Sequence, residues 1–312
     1  MERKDFYKRI DSLKIVAHRL GYEMTDYPEN SINVLHTIFD NEEMLNVCDG
    51  FELDICFTKD HVPVVIHDKY IDDISNGKGY VKNYNLKELK SFNFGYRNSL
   101  KSDSSRDLTI VTLEEMLEFF LDHKELLGNK IIKIETKDIL GLRSKNLYVL
   151  ADLFNKYESI GNNIIHLSFF PNNLINLKKV QKKKGYKLTE SDLLCDFKIV
   201  FSLSKLFKGL DRISLRIKTT SLPNVSKNNS KLVNKKIKND LLFMKVANKI
   251  NEKVLRKAIK RFGSVGLYVM NDIEEIDRFC KHISDDFFDK FHDKIVFTSD
   301  NPLKLKYINK SN

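Results

Sequence analysis

The chain has 312 residues, 42% of them hydrophobic, so it can bury one large core or two ordinary ones, and this composition argues against a disordered protein. Its formal charge of +10, from 53 Lys and Arg residues against 43 Asp and Glu residues, favours anionic ligands without distinguishing a phosphate ester from a nucleic acid. The sequence has no signal-like or membrane-spanning apolar run and no CxxC pair among its four cysteines. We therefore expect a cytoplasmic protein with no membrane span, no disulfide framework and no zinc cluster.

Short strand-like runs recur along the chain, with helical patterns such as those at 31–41, 112–123, 144–157, 172–184 and 252–262 between most of them. The runs are KIVAH (14–18), FELDICF (51–57), VPVVIH (62–67), KIIKIETK (130–137), NIIHLSF (163–169), KIVFSLS (198–204), RISLRI (212–217), SVGLYVM (264–270) and KIVFTS (294–299). This alternation predicts a parallel sheet wrapped by helices, and continuous apolar strands indicate that both faces are covered. About eight such units favour a closed (β/α)₈ TIM barrel. No GxGxxG follows the first strand, as a dinucleotide-binding fold would require.

Two segments interrupt this rhythm. Residues 68–111 contain the turn-rich SNGKGY, one short helix, LKELKSF, and the polar RNSLKSDSSRD, and we interpret them as a small insertion at the barrel mouth. Residues 218–240 show little apolar periodicity, which is typical of a long loop. The whole chain, 1–312, is thus predicted to be one barrel domain. The basic runs KKVQKKK (178–184) and NKKIK (234–238) lack interleaved aromatic residues, so we expect no specific nucleic-acid binding.

Acidic side chains lie inside two of the predicted strands. Because side chains alternate along a strand, Glu52 and Asp54 point to one face, and so do Lys133, Glu135 and Lys137. The carboxyl ends of the strands of a barrel meet at one mouth, which would bring the three carboxylates within reach of one hard cation, Mg²⁺ or Ca²⁺. Internal ion pairs with the two lysines explain the pattern equally well, so the spacing leaves both interpretations open.

Two histidines end strands. His18 is followed by Arg19, and His67 is followed by Asp68. A single histidine at a strand end is usually structural, but two at the same mouth, beside an acidic site and an arginine, favour acid–base catalysis. Asp68 can orient the His67 ring or cap the turn.

An ordered set of short motifs resembles the glycerophosphodiester phosphodiesterases. The motifs are AHR (17–19), PEN (28–30), FELDICFTKD (51–60), VPVVIHD (62–68), SNGKGYV (75–81), TLEEML (112–117), IKIETK (132–137), LYVMND (267–272) and FTSDNP (297–302). The resemblance spans nearly the whole chain and is stronger in the first half. Its specificity comes from the order of the set, since PEN or HD alone means nothing.

This resemblance implies a TIM barrel with a small insertion after the strand of the second catalytic histidine. The implied roles are acid–base catalysis by His18 and His67, a divalent ion held by Glu52, Asp54 and Glu135, phosphate binding by Arg19 and Lys137, and an active-site carboxylate near the metal from Glu29. We expect Asn30 to cap the helix that begins at Ser31. Family members usually have Gly directly after the His-Arg pair, whereas Leu20 precedes Gly21 here, and Tyr268 stands where a Trp is common.

The resemblance predicts a metal-dependent phosphodiesterase that cleaves a small or polymeric glycerophosphodiester to glycerol phosphate and an alcohol. One alternative on the same fold is a lyase that expels the alcohol and releases a cyclic phosphate. Another is a non-catalytic barrel that binds polyanions or a partner protein. The sequence indicates neither the alcohol nor the oligomeric state.

Overall fold

The computed structural model describes residues 12–95, 108–196, 211–216, 252–272, 276, 279–280 and 283–306. The strands within this part of the chain belong to one sheet. They are β1 (Lys14–Ala17), β2 (Gly50–Phe57), β3 (Pro63–Val65), β4 (Ile131–Thr136), β5 (Ile164–Ser168), β6 (Glu190–Asp196), β7 (Arg212–Arg216), β8 (Val265–Tyr268) and β9 (Ile295–Ser299).

Eight of these strands close into a parallel barrel. Each pairs with the next in the order β1, β2, β4, β5, β6, β7, β8, β9, and β1 pairs with both β2 and β9, which closes the ring. The third strand, β3, lies outside the ring because it pairs antiparallel with the end of β2, Phe57 opposite Pro63. The predicted TIM barrel is therefore confirmed, with β3 as a short hairpin arm.

Helices surround the barrel and connect its strands. They are α1 (Ile32–Phe39), α2 (Glu42–Val47), α3 (Leu86–Leu89), α4 (Leu113–Asp122), α5 (Lys124–Leu127), α6 (Lys145–Lys156), α7 (Pro171–Lys184), α8 (Glu252–Phe262), α9 (Asp285–Phe291) and α10 (Pro302–Lys306). Short 3₁₀ helices cover His18–Met24, Val81–Asn83, Glu158–Ile160 and His292–Lys294. Local signals set the boundaries: Thr112 and Glu115 form a capping box that starts α4, and Gly185, at φ 71°, ends α7. Within the described residues, no helix has both the length and the apolarity needed to cross a membrane.

The strand after α7 is not where the sequence analysis expected it. The predicted run KIVFSLS (198–204) lies outside the described residues, whereas Glu190–Asp196, which was not predicted, forms β6. Asp192 faces the barrel interior and pairs with Lys133 of β4 at 2.8 Å. A charged residue at an interior position breaks the apolar run that marks a buried strand, which is why the pattern missed β6.

Residues between β3 and α4 pack around a small apolar cluster of their own. Ile71, Val81, Leu89 and Ile110 of this segment contact Cys56 of β2 there. Cys56, Cys48 and Cys280 are buried, and none of them forms a disulfide within the described residues. The predicted insertion over 68–111 and the single domain over 1–312 stay predictions. The predicted loop at 218–240 and the basic run at 234–238 lie outside the described residues.

Candidate active site

Three carboxylates converge at the carboxyl ends of two adjacent strands. Glu52 and Asp54 come from β2, and Glu135 of β4 lies opposite Asp54 in the strand register. One oxygen of each side chain lies within 4.8 Å of the others. All three residues are buried, with exposed fractions of 2%, 0% and 5%. Period-two alternation explains this placement, because each strand directs every second side chain into the barrel.

The three carboxylates of the cluster differ in how readily they ionise. Burial and the adjacent charge of Asp54 raise the pKa of Glu52 to about 7 and that of Glu135 to about 8. Burial also acts to raise the pKa of Asp54, but the Lys137 ammonium, 2.8 Å from Oδ1, holds that pKa well below its usual range. The ionised form of Asp54 is therefore stabilised, and Glu52 and Glu135 ionise less readily than exposed glutamates do.

Only one of the two nearby lysines neutralises this cluster. Lys137 Nζ lies 2.8 Å from both Asp54 and Glu135. Lys133 instead donates hydrogen bonds to Asp192 at 2.8 Å and to Ser214 at 3.3 Å, deeper in the barrel. The ion-pair interpretation thus accounts for Lys137, but one ammonium cannot balance three carboxylates.

The donor set fits a hard divalent cation. Glu52 Oε1 is buried and has no hydrogen-bond partner in the described part of the chain. A buried carboxylate oxygen without a partner is costly unless a cation or water contacts it. Three carboxylates in one place supply the oxygen ligands that Mg²⁺ and Ca²⁺ prefer.

Asn30 holds Asp54 rather than capping a helix, so the predicted capping role is wrong. Its Nδ2 donates to Asp54 Oδ2 at 3.0 Å, and the Asp54 backbone N–H donates to Asn30 Oδ1 at 3.2 Å. Ser31 caps α1, accepting from the Asn33 backbone N–H at 3.2 Å. The backbone of Asn30 is left-handed, at φ 59°, a conformation that asparagine tolerates better than most residues. This geometry turns the amide towards the carboxylate cluster.

His18 lies at the end of β1 and contacts acidic groups through both ring nitrogens. Its Nδ1 lies 2.6 Å from Asp300 Oδ1, and its Nε2 lies 3.9 Å from Glu52. Asp300 is held in turn by Asn271, whose amide donates to Oδ2 and whose Oδ1 accepts from the Asp300 backbone N–H at 2.9 Å. Burial lowers the pKa of His18, but the hydrogen bond to Asp300 and the charge of Glu52 more than offset that effect and raise the pKa above its usual value.

Asp300 is a residue of the candidate site that the sequence analysis missed. It is part of the TSDNP motif, but nothing in that motif links it to a histidine 282 positions earlier. The link exists because β9 pairs with β1, Ala17 opposite Ser299, so the residues that follow these two strand positions are neighbours.

His67 follows β3 and faces the same cavity. Its Nδ1 lies 2.8 Å from Asp68 Oδ1. Of the two predicted roles for Asp68, this contact favours orientation of the His67 ring. Burial and the charges of Lys137 and Arg19 lower the pKa of His67, although Asp54 and Asp68 act in the opposite direction. The two histidine rings therefore differ in proton affinity.

Arg19 begins a turn that wraps the backbone around Glu52. The Arg19 backbone N–H donates to Glu52 Oε2 at 2.9 Å, and the guanidinium donates to Glu29 Oε2 at 2.5 Å. Arg19, Leu20 and Gly21 all have positive φ, of 48°, 71° and 79°. Such conformations are strained for residues other than glycine and occur mainly at functional sites. Leu20 is fully buried, so core packing holds the turn in place.

Two adjoining cavities open at this mouth. The first, of about 320 Å³, is lined by both histidines and by Arg19, Glu52, Glu135 and Lys137. Phe169 and Tyr268 form its aromatic wall, with their ring centroids 6.4 Å apart. The second cavity, of about 430 Å³, shares Arg19 and His67 with the first and extends between Tyr27, Glu29, Phe94 and Val111. The two cavities therefore meet at Arg19 and His67.

The chain is similar to known proteins of one kind. The family model described as "Glycerophosphoryl diester phosphodiesterase family" matches residues 24–270. A glycerophosphodiester phosphodiesterase of Caldanaerobacter subterraneus is 35% identical over 153 residues, covering 46% of this chain and 58% of the relative. Human glycerophosphodiester phosphodiesterase 1 is 27% identical over 172 residues, covering 55% and 47%. The chain thus spans about half the length of the curated relatives it matches.

Solved structures share the fold over nearly the whole chain. An Oleispira antarctica phosphodiesterase, in complex with the product sn-glycerol-3-phosphate, has a TM-score of 0.66 at 17% identity and covers 97% of this chain and 99% of its own. A glycerophosphodiester phosphodiesterase from Agrobacterium tumefaciens has a TM-score of 0.63 at 17% identity and covers 94% and 98%. At this identity, the similarity establishes the barrel architecture.

Proposed function

Because the chain belongs to the glycerophosphoryl diester phosphodiesterase family, we propose that it hydrolyses a glycerophosphodiester to glycerol phosphate and an alcohol with a divalent cation, Mg²⁺ or Ca²⁺. The observation that carries the proposal is one cavity lined by His18, His67, Glu52 and Glu135, the two glutamates forming a buried cluster with Asp54. An aspartate contacts Nδ1 of each histidine. Metal ligation, phosphate binding and proton transfer each have their residues there.

Glu52, Asp54 and Glu135 would hold the cation. When bound, the cation supplies positive charge that stabilises the phosphate oxygens as the pentacoordinate centre forms. Its arrival also explains how two carboxylates with raised pKa values can ionise together, since a divalent ion reverses the local electrostatics. Lys137 alone cannot balance three ionised carboxylates.

Arg19 and Lys137 would bind the anionic phosphate. Burial disfavours the charge on each, but the surrounding carboxylates raise both pKa values, so both side chains stay protonated. A phosphodiester is a poor electrophile because its anionic oxygens repel a nucleophile, and fixed cations offset that repulsion. The pair between Arg19 and Glu29 orients the guanidinium before the substrate arrives.

The histidines would transfer the protons. Asp300 and Asp68 engage Nδ1 of His18 and His67, which leaves Nε2 of each ring as the reactive nitrogen. One ring removes the proton of the attacking hydroxyl, and the other protonates the departing alkoxide, whose expulsion near neutral pH is otherwise prohibitive. The second cavity, next to His67, has room for the alcohol.

The test is turnover of a panel of glycerophosphodiesters, followed by phosphorus NMR with Mg²⁺, Ca²⁺ or a chelator. We expect glycerol phosphate as product, and a loss of at least ~10²-fold for His18→Ala or His67→Ala. His36→Ala, an exposed histidine of α1, is the matched control and should retain full activity. A persistent cyclic phosphate would identify a lyase, and no turnover of any diester would overturn the proposal.

Binding of the cation can be measured by thermal unfolding, without turnover. A ligand that binds only the folded state at about 100 times its Kd raises the unfolding free energy by about 2.7 kcal/mol. We expect Mg²⁺ or Ca²⁺ to raise the melting temperature of the wild-type protein but not that of Glu52→Gln. If the cation stabilises both proteins equally, or stabilises neither, Glu52 is not a ligand.

A further inference from the structure

Large apolar side chains are exposed around the barrel mouth. Tyr70, Ile139, Leu142 and Phe169, which we call the apolar rim, have exposed fractions of 50%, 70%, 45% and 38%. They lie on the segments that follow β3, β4 and β5. The other large hydrophobic residues exposed within the described ranges, Leu126 and Leu188, precede β4 and β6 and therefore lie at the opposite end of the barrel.

Hydrogen bonds hold these segments together at one edge of the mouth. Asn173 Nδ2 donates to the Asp138 backbone oxygen at 2.7 Å and to Ser168 Oγ at 3.1 Å, so Ile139 and Phe169, the next residues, leave from a common point. Lys69, next to Tyr70, forms an ion pair with Asp138 at 3.3 Å. The three segments that carry the apolar rim therefore meet at Asp138 and Asn173, on one edge of the mouth.

The loop that carries Ile139 and Leu142 is basic. Acidic residues lie elsewhere on the rim: Asp138, which precedes this loop, is paired with Lys69, and Asp68, Asp72 and Asp73 flank Tyr70. The segment 139–145, ILGLRSK, contains Arg143 and Lys145, both exposed, and the next acidic residue along the chain is Asp152, inside α6. Leu140, which is buried and whose backbone N–H donates to Asn173 Oδ1 at 2.7 Å, anchors the base of the loop. Apolar side chains at a loop tip with flanking cations are the arrangement of a peripheral membrane-binding surface.

We infer that the apolar rim docks the barrel mouth on an anionic lipid bilayer. Ile139 and Leu142 insert among the lipids, while Arg143 and Lys145 contact the headgroups. A second copy of this chain is a poorer occupant, because Arg143 and Lys145 of both copies would face each other. This inference does not rest on the proposed reaction, although docking in this way would place the opening of the catalytic cavity against the bilayer.

The test is co-sedimentation of the full chain with vesicles of phosphatidylcholine, with and without phosphatidylglycerol. We expect binding to the anionic vesicles, reduced at least tenfold in the double variant Ile139→Ser with Leu142→Ser. The double variant Leu126→Ser with Leu188→Ser removes similar apolar residues from the opposite end and should bind as the wild type does. Each of Arg143→Gln and Lys145→Gln should weaken anionic binding about fivefold.

Several outcomes would overturn the inference. They are no vesicle binding, equal binding to neutral vesicles, an equal loss in the opposite-end control, or rim-dependent dimerisation in light scattering. Circular dichroism verifies that each variant is folded. Hydrolysis of a soluble diester should persist in the rim variant, so absent turnover with intact vesicle binding would count against the proposed function alone.

Discussion

Replacing Asp300 with Asn should slow the reaction far more than replacing Asp68 with Asn, although each carboxylate contacts Nδ1 of a histidine. The His18–Asp300 contact is 2.6 Å long, with side-chain exposures of 15% and 14%. The His67–Asp68 contact is 2.8 Å long, with exposures of 28% and 53%. Asn271 also holds Asp300 by two hydrogen bonds. The first pair is thus shielded from water and fixed in place, and the second is not.

The expected magnitudes follow from this difference in burial. A hydrogen bond to a charged group contributes about 1.5–3 kcal/mol, and about 1.4 kcal/mol corresponds to a factor of ten in rate. Asp300→Asn should therefore lower kcat about 10- to 100-fold. An exposed pair contributes about 0–1 kcal/mol, so Asp68→Asn should lower kcat less than about fivefold.

The assay is kcat and KM for one soluble diester with the wild type and both variants, together with the His18 pKa from NMR titration. Asp300 does not line either cavity at the mouth, so KM should change little and the pKa of His18 should fall. An equal or larger loss of kcat in Asp68→Asn would refute the reasoning, as would a change confined to KM.

Three further predictions concern stability. Asn30→Ala removes two hydrogen bonds with Asp54, one to its buried carboxylate and one from its backbone N–H, and leaves alanine at φ 59°. Urea denaturation should therefore show a loss of about 2–4 kcal/mol; a loss below about 0.5 kcal/mol would contradict the assigned role. Gly50→Ala would place Cβ 2.4 Å from a backbone oxygen of β4 and should destabilise by at least about 1–3 kcal/mol, whereas Gly141→Ala, with nothing within 4 Å, is the near-neutral control. The folded state raises the pKa of His18 above 6.5. The stability that protonated His18 contributes is therefore fully present below that pH and is lost as the pH rises through the folded pKa. In the presence of a chelator, the difference in unfolding free energy between wild type and His18→Ala should therefore shrink as the pH rises above 6.5. A difference that grows instead would show that the folded state does not raise the pKa of His18.

Part of the carboxylate cluster could be predicted from the sequence alone. Alternation along a strand is a local rule, so it placed Glu52 and Asp54 on one face before any tertiary contact was known. Whether Lys133 or Lys137 neutralises them was open, because each lysine shares the face of Glu135. The structure separates the two lysines by depth: Lys137 is past the end of β4, beside the cluster, whereas Lys133 lies inside the barrel with Asp192.

Long-range pairing decided what the sequence alone could not. The alternation of strands and helices, the apolar strand runs and the residues at strand ends determined the barrel and the mouth at which the candidate site lies, because each depends on chemistry within a few neighbouring positions. The β6 strand, the bond between Asn30 and Asp54, and the pairing of Asp300 with His18 depend on which strands become neighbours when the barrel closes. Barrel closure brings together residues that are far apart in the chain through strand register, and local sequence patterns do not predict which strands will pair.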